Sequence, residues 1–149
     1  MKGYTLVEIL VVVSIIGLLF SFGFVNFREY SRRQQLKNAA TALSGNLRMA
    51  QEKALSGEVP AGCVGLKSYG VKINATDYRI LARCASDIQI GRVNLVAVTA
   101  AAVPQSTVSF KVLGSGTDIP VGSQMVITLT QTETGQTTTV TVTPGGEIK

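Results

Sequence analysis

A run of 24 residues from Tyr4 to Phe27 contains one charged side chain and constrains the fold more than any other feature of this 149-residue chain. As an α-helix it would be about 36 Å long, enough to cross a hydrocarbon core of roughly 30 Å. It is followed by NFREYSRRQQLKN, residues 26–38, and not by the small-x-small cleavage site of a secretory signal peptide. The run therefore predicts a single-pass transmembrane helix that continues into water.

The one carboxylate of this run, Glu8, needs an explanation, because a charged side chain at the centre of a membrane helix costs about 2.5–3.5 kcal/mol. Thr5 and Glu8 have the spacing of a capping box, in which both side chains bond free amides of the first helical turn. A negative charge there also interacts favourably with the positive end of the helix dipole. Taken alone, the pattern fits a cap of its own helix and leaves the role of Glu8 open.

The segment GYTLVEILVVVSIIGLL, residues 3–19, resembles the N-terminus of type IV prepilins and of type II secretion pseudopilins. That family has a short basic leader ending in glycine, an aromatic or apolar residue, a Thr-Leu-Ile/Val-Glu tetrapeptide and a long apolar helix. The resemblance implies that a prepilin peptidase cleaves between Gly3 and Tyr4 and that Tyr4 is N-methylated. It also implies that Thr5 and Glu8 serve subunit assembly, with the Glu8 carboxylate neutralising the amino terminus of an adjacent subunit.

Two features depart from the family pattern. Tyr4 stands where most pilins begin the mature chain with Phe or Met. The apolar run also lacks the proline that kinks many pilin helices. Gly17 and Gly23 could supply flexibility instead, since a glycine costs a helix about 1 kcal/mol relative to alanine.

The resemblance implies an α+β, type IV pilin-like fold, in which a long N-terminal helix with a membrane-embedded first half packs on an antiparallel β-sheet head. It implies a cytoplasmic N-terminus, an anchor in membrane lipid and an exported head before assembly, and a cell-surface or periplasmic filament afterwards. The implied partners are other pilin or pseudopilin subunits, the prepilin peptidase and the inner-membrane assembly platform. The positive-inside rule favours the opposite orientation, because basic residues follow the run at Arg28, Arg32, Arg33 and Lys37.

An amphipathic pattern indicates that the helix continues beyond the apolar run. Its apolar residues step by four and three, which keeps them on one face of a helix. They are Leu36, Ala40, Leu43, Leu47, Ala50 and Ala54. Gly57 is a candidate C-cap and Pro60 would stop any continuation. The pattern predicts one helix from Thr5 to Leu55.

These patterns divide the chain into four predicted parts. They are a leader (1–3), a transmembrane and assembly helix (4–27), an amphipathic continuation of the helix (28–56) and a β-rich head (57–149). A chain of this length is expected to hold one domain with an appendage and not two domains.

The residues after Pro60 show the alternation that is typical of β-strands. Tyr69–Ile73 and Tyr78–Ala85 flank NATD and predict a hairpin. Further strands are predicted at Asn94–Thr99, Val108–Leu113 and Met125–Thr132. Thr and Val alternate on both sides of Glu133-Thr134-Gly135, which predicts a C-terminal hairpin.

Cys63 and Cys84 are the two cysteines of a chain that contains no histidine. In a reducing compartment they would be two unrelated small hydrophobic residues. In the exported head that the resemblance implies, an even number of cysteines indicates a disulfide. A zinc site is disfavoured, because two thiolates do not complete a tetrahedral site.

The composition favours neither catalysis nor a cofactor. The absence of histidine excludes Ser-His and Cys-His pairs, and the chain has no phosphate-binding loop. Asp77, Asp87 and Asp118 would bind calcium only if the fold gathered them, whereas single carboxylates in solvated loops are the commoner case. We therefore expect no enzyme activity and no cofactor.

A second segment, LSGNLRMAQEKALSGEVP (residues 43–60), is similar to the helix end of the GspH/FimT group of minor pilins and pseudopilins. Leu47, Met49-Ala50 and Ala54-Leu55 take the places of that group's apolar residues, while Ala50-Gln51 replaces its alanine-arginine pair. The resemblance implies a structural subunit of the minor kind, in a type IV pilus or a type II secretion pseudopilus, that polymerises through its N-terminal helix.

The alternative is a ligand-binding minor pilin for DNA uptake or surface adhesion. From residue 57 onward seven basic residues face six acidic ones, so the head is nearly neutral. DNA binding depends on clustered cations that meet phosphates. Nucleic acid is therefore the weaker candidate partner on the sequence alone.

Overall fold

The computed structural model describes residues 3–114 and 116–149, except for the side chains of residues 21–26. Helix α1 spans Leu6–Ser56 and precedes a β-rich region. The described strands are β1 (Ser68–Ile73), β2 (Asp77–Arg83), β3 (Ile88–Asn94), β4 (Val98–Val103), β5 (Thr107–Lys111), β6 (Met125–Gln131) and β7 (Thr137–Val142). The chain forms two units, Met1–Gln34 and Gln35–Lys149, and the second holds the last part of α1 with all of these strands. The predicted α+β class is confirmed.

The first unit holds the apolar part of α1, which is continuous through Gly17 and Gly23. In the part of the chain that the structure describes, no helix offers an apolar stretch long enough to cross a membrane. The predicted span 4–27 includes residues 21–26, whose side chains lie outside the description, and the predicted leader includes residues 1 and 2, which lie outside it entirely. The membrane span and the leader therefore stay predictions.

Helix α1 ends one residue beyond the predicted Leu55. Gly57 has a φ of 64°, a left-handed conformation that glycine adopts without a Cβ clash, and its amide donates to the Ala54 carbonyl at 3.3 Å. The predicted C-cap is confirmed. The helix ends here because the left-handed backbone of Gly57 cannot continue a right-handed helix.

The predicted apolar stripe forms the contact of α1 with the head in the second unit. Five of its six residues are buried in the core, and Ala40 packs against it partly buried. Leu43 and Leu47 are fully buried, and a leucine contributes about 1.5–3 kcal/mol when it leaves water. Asn46 on the flank of the stripe donates from Nδ2 to the Tyr78 hydroxyl at 2.7 Å, which fixes the helix against β2.

The strands form two antiparallel sheets, a division that the sequence did not predict. The first has the order β3-β2-β1-β5 and the second the order β4-β6-β7. The predicted first hairpin is confirmed by the pairing of Ile73 with Tyr78, and the C-terminal hairpin by the pairing of β6 with β7. Gly135 has a φ of 68° in the turn between them, where the left-handed conformation favours glycine.

One predicted strand, Asn94–Thr99, is wrong. The chain leaves the first sheet at Asn94 and enters the second at Val98, and Ala97 between them has a φ of 57°. Apolar alternation through this stretch indicated one strand, but tertiary hydrogen bonds turn the backbone here. The Thr132 amide donates to the Ala97 carbonyl at 3.1 Å, which ties the turn to the end of β6. The preceding strand β3 was not predicted.

The remaining strand predictions agree with the structure to within a few residues. Met125–Thr132 is confirmed as β6, which ends at Gln131. Val108–Leu113 corresponds to β5, which ends at Lys111 because a short 3-10 helix, Val112–Gly114, follows it with a left-handed Leu113 (φ 59°). The predicted strand Tyr78–Ala85 is β2, which ends at Arg83.

Candidate functional site

The N-terminus of α1 holds Thr5 and Glu8 in the geometry of a helix cap. The Glu8 amide donates to the Thr5 hydroxyl at 3.3 Å and to the Thr5 carbonyl at 3.1 Å. This is the Thr half of the predicted capping box, since the Thr side chain bonds an amide that the helix leaves free. The Glu8 side chain is exposed in the first turn. Its charge lies at the positive end of the helix dipole.

The helix surface around Glu8 is apolar and exposed. Tyr4 is 79% exposed and Phe20 77%, and the side chains between them are exposed as well. Monomeric soluble proteins rarely expose contiguous apolar surface of this extent, which usually marks contact with protein or membrane. This surface, together with Glu8, is a candidate assembly site.

The structure joins Cys63 and Cys84 in a disulfide with a Cα–Cα distance of 5.6 Å. The bond ties the loop after α1 to the end of β2, where the Ala85 amide also donates to the Val64 carbonyl at 2.9 Å. Cys84 is buried in the core and Cys63 packs against it. The bond therefore fixes the segment that leads from the helix into the first strand.

Strand register collects most basic side chains of the head on one face of the four-stranded sheet. Lys72 follows the buried Val71 and so faces away from the core. Residues paired directly across strands share a face: Lys72 pairs with Arg79, and Ser68 pairs with Arg83. We call this surface the basic face. Its residues are Lys72, Arg79, Arg83, Arg92 and Lys111, with Lys67 at its edge.

The head is electrostatically polarised although its total charge is small. The basic face holds six cations, and three carboxylates lie on or beside it (Asp77, Asp87 and Asp118), a net charge of +3. The remaining charges from residue 57 onward are Lys149 and three glutamates, a net charge of −2. The sequence interpretation of a nearly neutral head holds for the total charge and fails for its distribution.

Asp77 bonds two arginines at one end of the basic face. The residue is 5% exposed, and its Oδ2 accepts hydrogen bonds from Arg79 Nε at 3.1 Å and Arg92 Nε at 3.0 Å. Burial alone would raise the pKa of Asp77, but the hydrogen bond from Arg79, the charge of Arg92 and a hydrogen bond from Asn74 outweigh it and lower this pKa below its ordinary 3.8. The cluster holds β2 to β3 next to the first hairpin.

Replacing Asp77 by Asn is expected to lower the thermal midpoint of the protein at neutral pH, because both arginines lose their charged partner. A carboxyl whose pKa is depressed on folding stabilises the fold above its unfolded pKa and ceases to do so as the pH falls through the folded value. The difference between wild type and Asp77→Asn should therefore shrink below pH 3.8. Circular dichroism melts of both proteins across this range test it, and a difference that is constant with pH would contradict it.

The basic face was not predicted from the sequence, because the basic and acidic residues of the head were only counted and their positions in the sheet were not considered. A local signal was present: Arg79 and Arg83 are four residues apart in a predicted strand, a spacing that keeps both on one face. The contributions of β1, β3 and β5 depend on register and on which strands are neighbours. Asp77, Asp87 and Asp118, which the sequence offered as calcium ligands, do not come together. Within residues 3–114 and 116–149 no three His, Cys, Asp or Glu residues form a group that could hold a metal ion.

A capped helix with an exposed apolar first half, continuing into an antiparallel head closed by a disulfide, defines a pilin-like protein. Comparison with known proteins gives the same class. Residues 1–24 match the family described as the prokaryotic N-terminal methylation motif. The head with its helix resembles the type IV minor pilin FimU of Pseudomonas aeruginosa, with a TM-score of 0.58 and 15% identity over 76% of this chain and 90% of that one. This likeness shows a shared fold.

Relatives with similar sequences are fimbrial proteins. Two from Pseudomonas aeruginosa are 29% and 30% identical over 102 residues, which cover 64% of this chain and 66% of each relative. One from Dichelobacter nodosus is 32% identical over 76 residues, 46% of this chain and 48% of the relative. The chain thus matches about two thirds of the length of the first two and about half of the third. The matched motif, these relatives and the shared fold together support membership of the chain in the type IV pilin family.

Proposed function

We propose that the protein is a structural subunit of a type IV pilus, of the minor kind, that polymerises through its N-terminal helix. The observation that carries this proposal is the exposed apolar surface of α1 with Glu8 in its first turn, inside the matched methylation motif. An exposed helix surface of this kind becomes stable when lipid or other helices cover it. The pseudopilus of type II secretion is the other machine that such a subunit would suit.

The path to the filament follows from the same motif. Before assembly the subunit is anchored in membrane lipid with a cytoplasmic N-terminus and an exported head, where the Cys63–Cys84 disulfide persists. A prepilin peptidase removes the first three residues and Tyr4 is methylated. The assembly platform of the inner membrane then passes the subunit to a filament at the cell surface. The minor role is supported by the fold shared with a minor pilin.

One observation favours a second role, in which the head binds a ligand. The basic face concentrates six cations on a single sheet surface of the head. A filament subunit that only polymerises has no need of such a surface outside its contacts with neighbours. DNA uptake and surface adhesion remain the candidate activities for this role.

Processing at Gly3 tests the proposal directly. Protein from a host that has the prepilin peptidase is expected to begin at Tyr4, and Gly3→Ala is expected to abolish most of the cleavage. A Cβ at Gly3 would meet nothing within 4 Å, so the change does not disturb folding of the chain. Intact-protein mass spectrometry measures the N-terminus.

Gly17→Ala is the matched control for this experiment. It makes the same change inside α1, away from the cleavage site, a Cβ there also meets nothing within 4 Å, and cleavage should be unaffected. Assembled filaments whose subunits retain Met1 would contradict the proposal.

A further inference from the structure

A cleft of about 510 Å³ opens on the basic face where β1, β2 and β5 lie side by side. Three cations line it: Lys67 before β1, Arg83 at the end of β2 and Lys111 at the end of β5. Ser68 lies between them, because it pairs with Arg83 on one side and Lys111 on the other. Arg83 and Lys111 converge because both pair with Ser68 in one row across the three strands, and Lys67 directly precedes Ser68.

Two polar atoms at the base of this cleft are buried without a hydrogen-bond partner in the described part of the chain. They are the hydroxyl of Ser109, a residue that is only 5% exposed, and Nε of Arg83. Both lie beside Gly70: a Cβ built there would be 3.5 Å from Ser109 Oγ and 3.6 Å from Arg83 Nε. Buried polar groups in native proteins are nearly always hydrogen-bonded to protein, water or a ligand, so two unsatisfied atoms at one place mark a position for an acceptor from outside the chain.

The carboxylates of the cleft do not supply that acceptor. Asp118 accepts hydrogen bonds from the Ser109 amide at 2.8 Å and from Gln105 Nε2 at 3.3 Å. Asp87 is exposed at the rim. With three cations and two carboxylates, the cleft keeps a net positive charge while its deepest donors stay unpaired.

We propose that this cleft binds a tetrahedral oxyanion, a phosphate or sulfate group, held by Lys67, Arg83 and Lys111 with the Ser109 hydroxyl at its base. Such a group offers several acceptor oxygens to one place, which matches a guanidinium, two ammonium groups and a hydroxyl. An anion bound at the base of the cleft gives both unsatisfied atoms a partner. The site belongs to the head and does not depend on filament assembly.

The same chemistry comes from a free anion or from the phosphodiester of a polymer. The first experiment uses inorganic phosphate alone, titrated by calorimetry into the full-length protein in a nonionic detergent at low ionic strength. The second uses a short DNA duplex as probe, with inorganic phosphate added as competitor. Saturable binding of phosphate to one site is expected in the first.

Two pairs of variants separate this site from other cations of the chain. Lys111→Gln is expected to weaken phosphate binding about fivefold, the order expected when one unit charge is removed from contact with an anion in water. Lys149→Gln removes the head's basic residue that lies outside the basic face and should change nothing. The contrast also excludes phosphate binding by the basic cluster after the apolar run.

The second pair leaves the charge unchanged. Gly70→Ala places a methyl group in ordinary contact distance of Ser109 Oγ and Arg83 Nε, where it occupies space beside the two unsatisfied atoms, and should weaken binding at least as much as Lys111→Gln. Gly91→Ala is the control: it is also a strand glycine, and its Cβ would meet Ile80 Cδ1 at 3.6 Å, away from the cleft. It should bind phosphate as wild type does.

The outcomes decide the proposal. Phosphate binding that both Lys111→Gln and Gly70→Ala weaken, with both controls unchanged, establishes the site. DNA binding that responds to the same variants and is displaced by phosphate establishes it with a polymer as the source of the anion. No saturable phosphate binding, or binding that Lys111→Gln and Gly70→Ala leave unchanged, overturns it. DNA binding that phosphate fails to displace shows that the polymer binds elsewhere and is not the source of the anion.

Discussion

Glu8→Gln is expected to exclude the subunit from filaments while membrane insertion, cleavage after Gly3 and folding of the head remain intact. Gln keeps the hydrogen-bonding capacity that a capping box uses, and Thr5 still caps the helix through its hydroxyl. What Gln lacks is the negative charge. If Glu8 neutralises the amino terminus of a neighbour in an apolar helix bundle, removing one partner of the buried pair costs about 3–5 kcal/mol. A cost of this size corresponds to at least a hundredfold loss of incorporation.

The measurement is the share of the variant in sheared filaments relative to the membrane pool, with the variant expressed beside the wild-type machinery. Glu52→Gln is a matched control, because Glu52 is an exposed carboxylate further along the same helix. It should enter filaments as wild type does. Equal incorporation of Glu8→Gln and wild type would reduce Glu8 to a cap of its own helix.

Removal of the disulfide has the second large effect. The double variant Cys63→Ala/Cys84→Ala is expected to lose roughly 3 kcal/mol of the free energy of unfolding, since the bond closes a loop with a sequence separation of 21. For a head of this size the loss corresponds to a decrease of roughly 10 °C in the thermal midpoint. The physical reason is that an open loop lets the unfolded chain sample more conformations, while the folded contacts stay almost unchanged.

Thermal melts of the double variant and of the wild type, each with and without reductant, test this prediction. Reductant should lower the midpoint of the wild type to that of the variant and leave the variant unchanged. In native exported protein both thiols should resist alkylation until reductant is added. Two freely alkylated thiols, or melts that reductant does not affect, would contradict it.

Some features were predictable because they depend on local periodicity. The stripe from Leu36 to Ala54 has helical spacing, and it is the face that α1 buries. Gly57 marks the helix end through its own backbone freedom, and Thr5 marks the start through a hydroxyl three residues before Glu8. The two hairpins are also local, since each joins strands that are adjacent in the chain.

Other features depended on partners far away in the chain. Residues 94–99 have the apolar pattern of one strand, yet the backbone turns at Ala97, whose carbonyl accepts a hydrogen bond from the Thr132 amide directly after β6. The residue types of this six-residue stretch do not indicate a hydrogen bond to Thr132. The division into two sheets follows from such long-range bonds and was therefore not predictable.

The helix, its buried stripe, its N-terminal motif and the small total charge of the head were predictable, because each depends on residue types and on spacing along one segment. The places of those charges depend on how the strands pair. Arg83 and Lys111 are far apart in the chain and come to lie on either side of Ser68 because β1 pairs with β2 on one side and with β5 on the other. Antiparallel register sets which residues share a face, so a nearly neutral head acquires a basic face and a cleft with unpaired donors at its base.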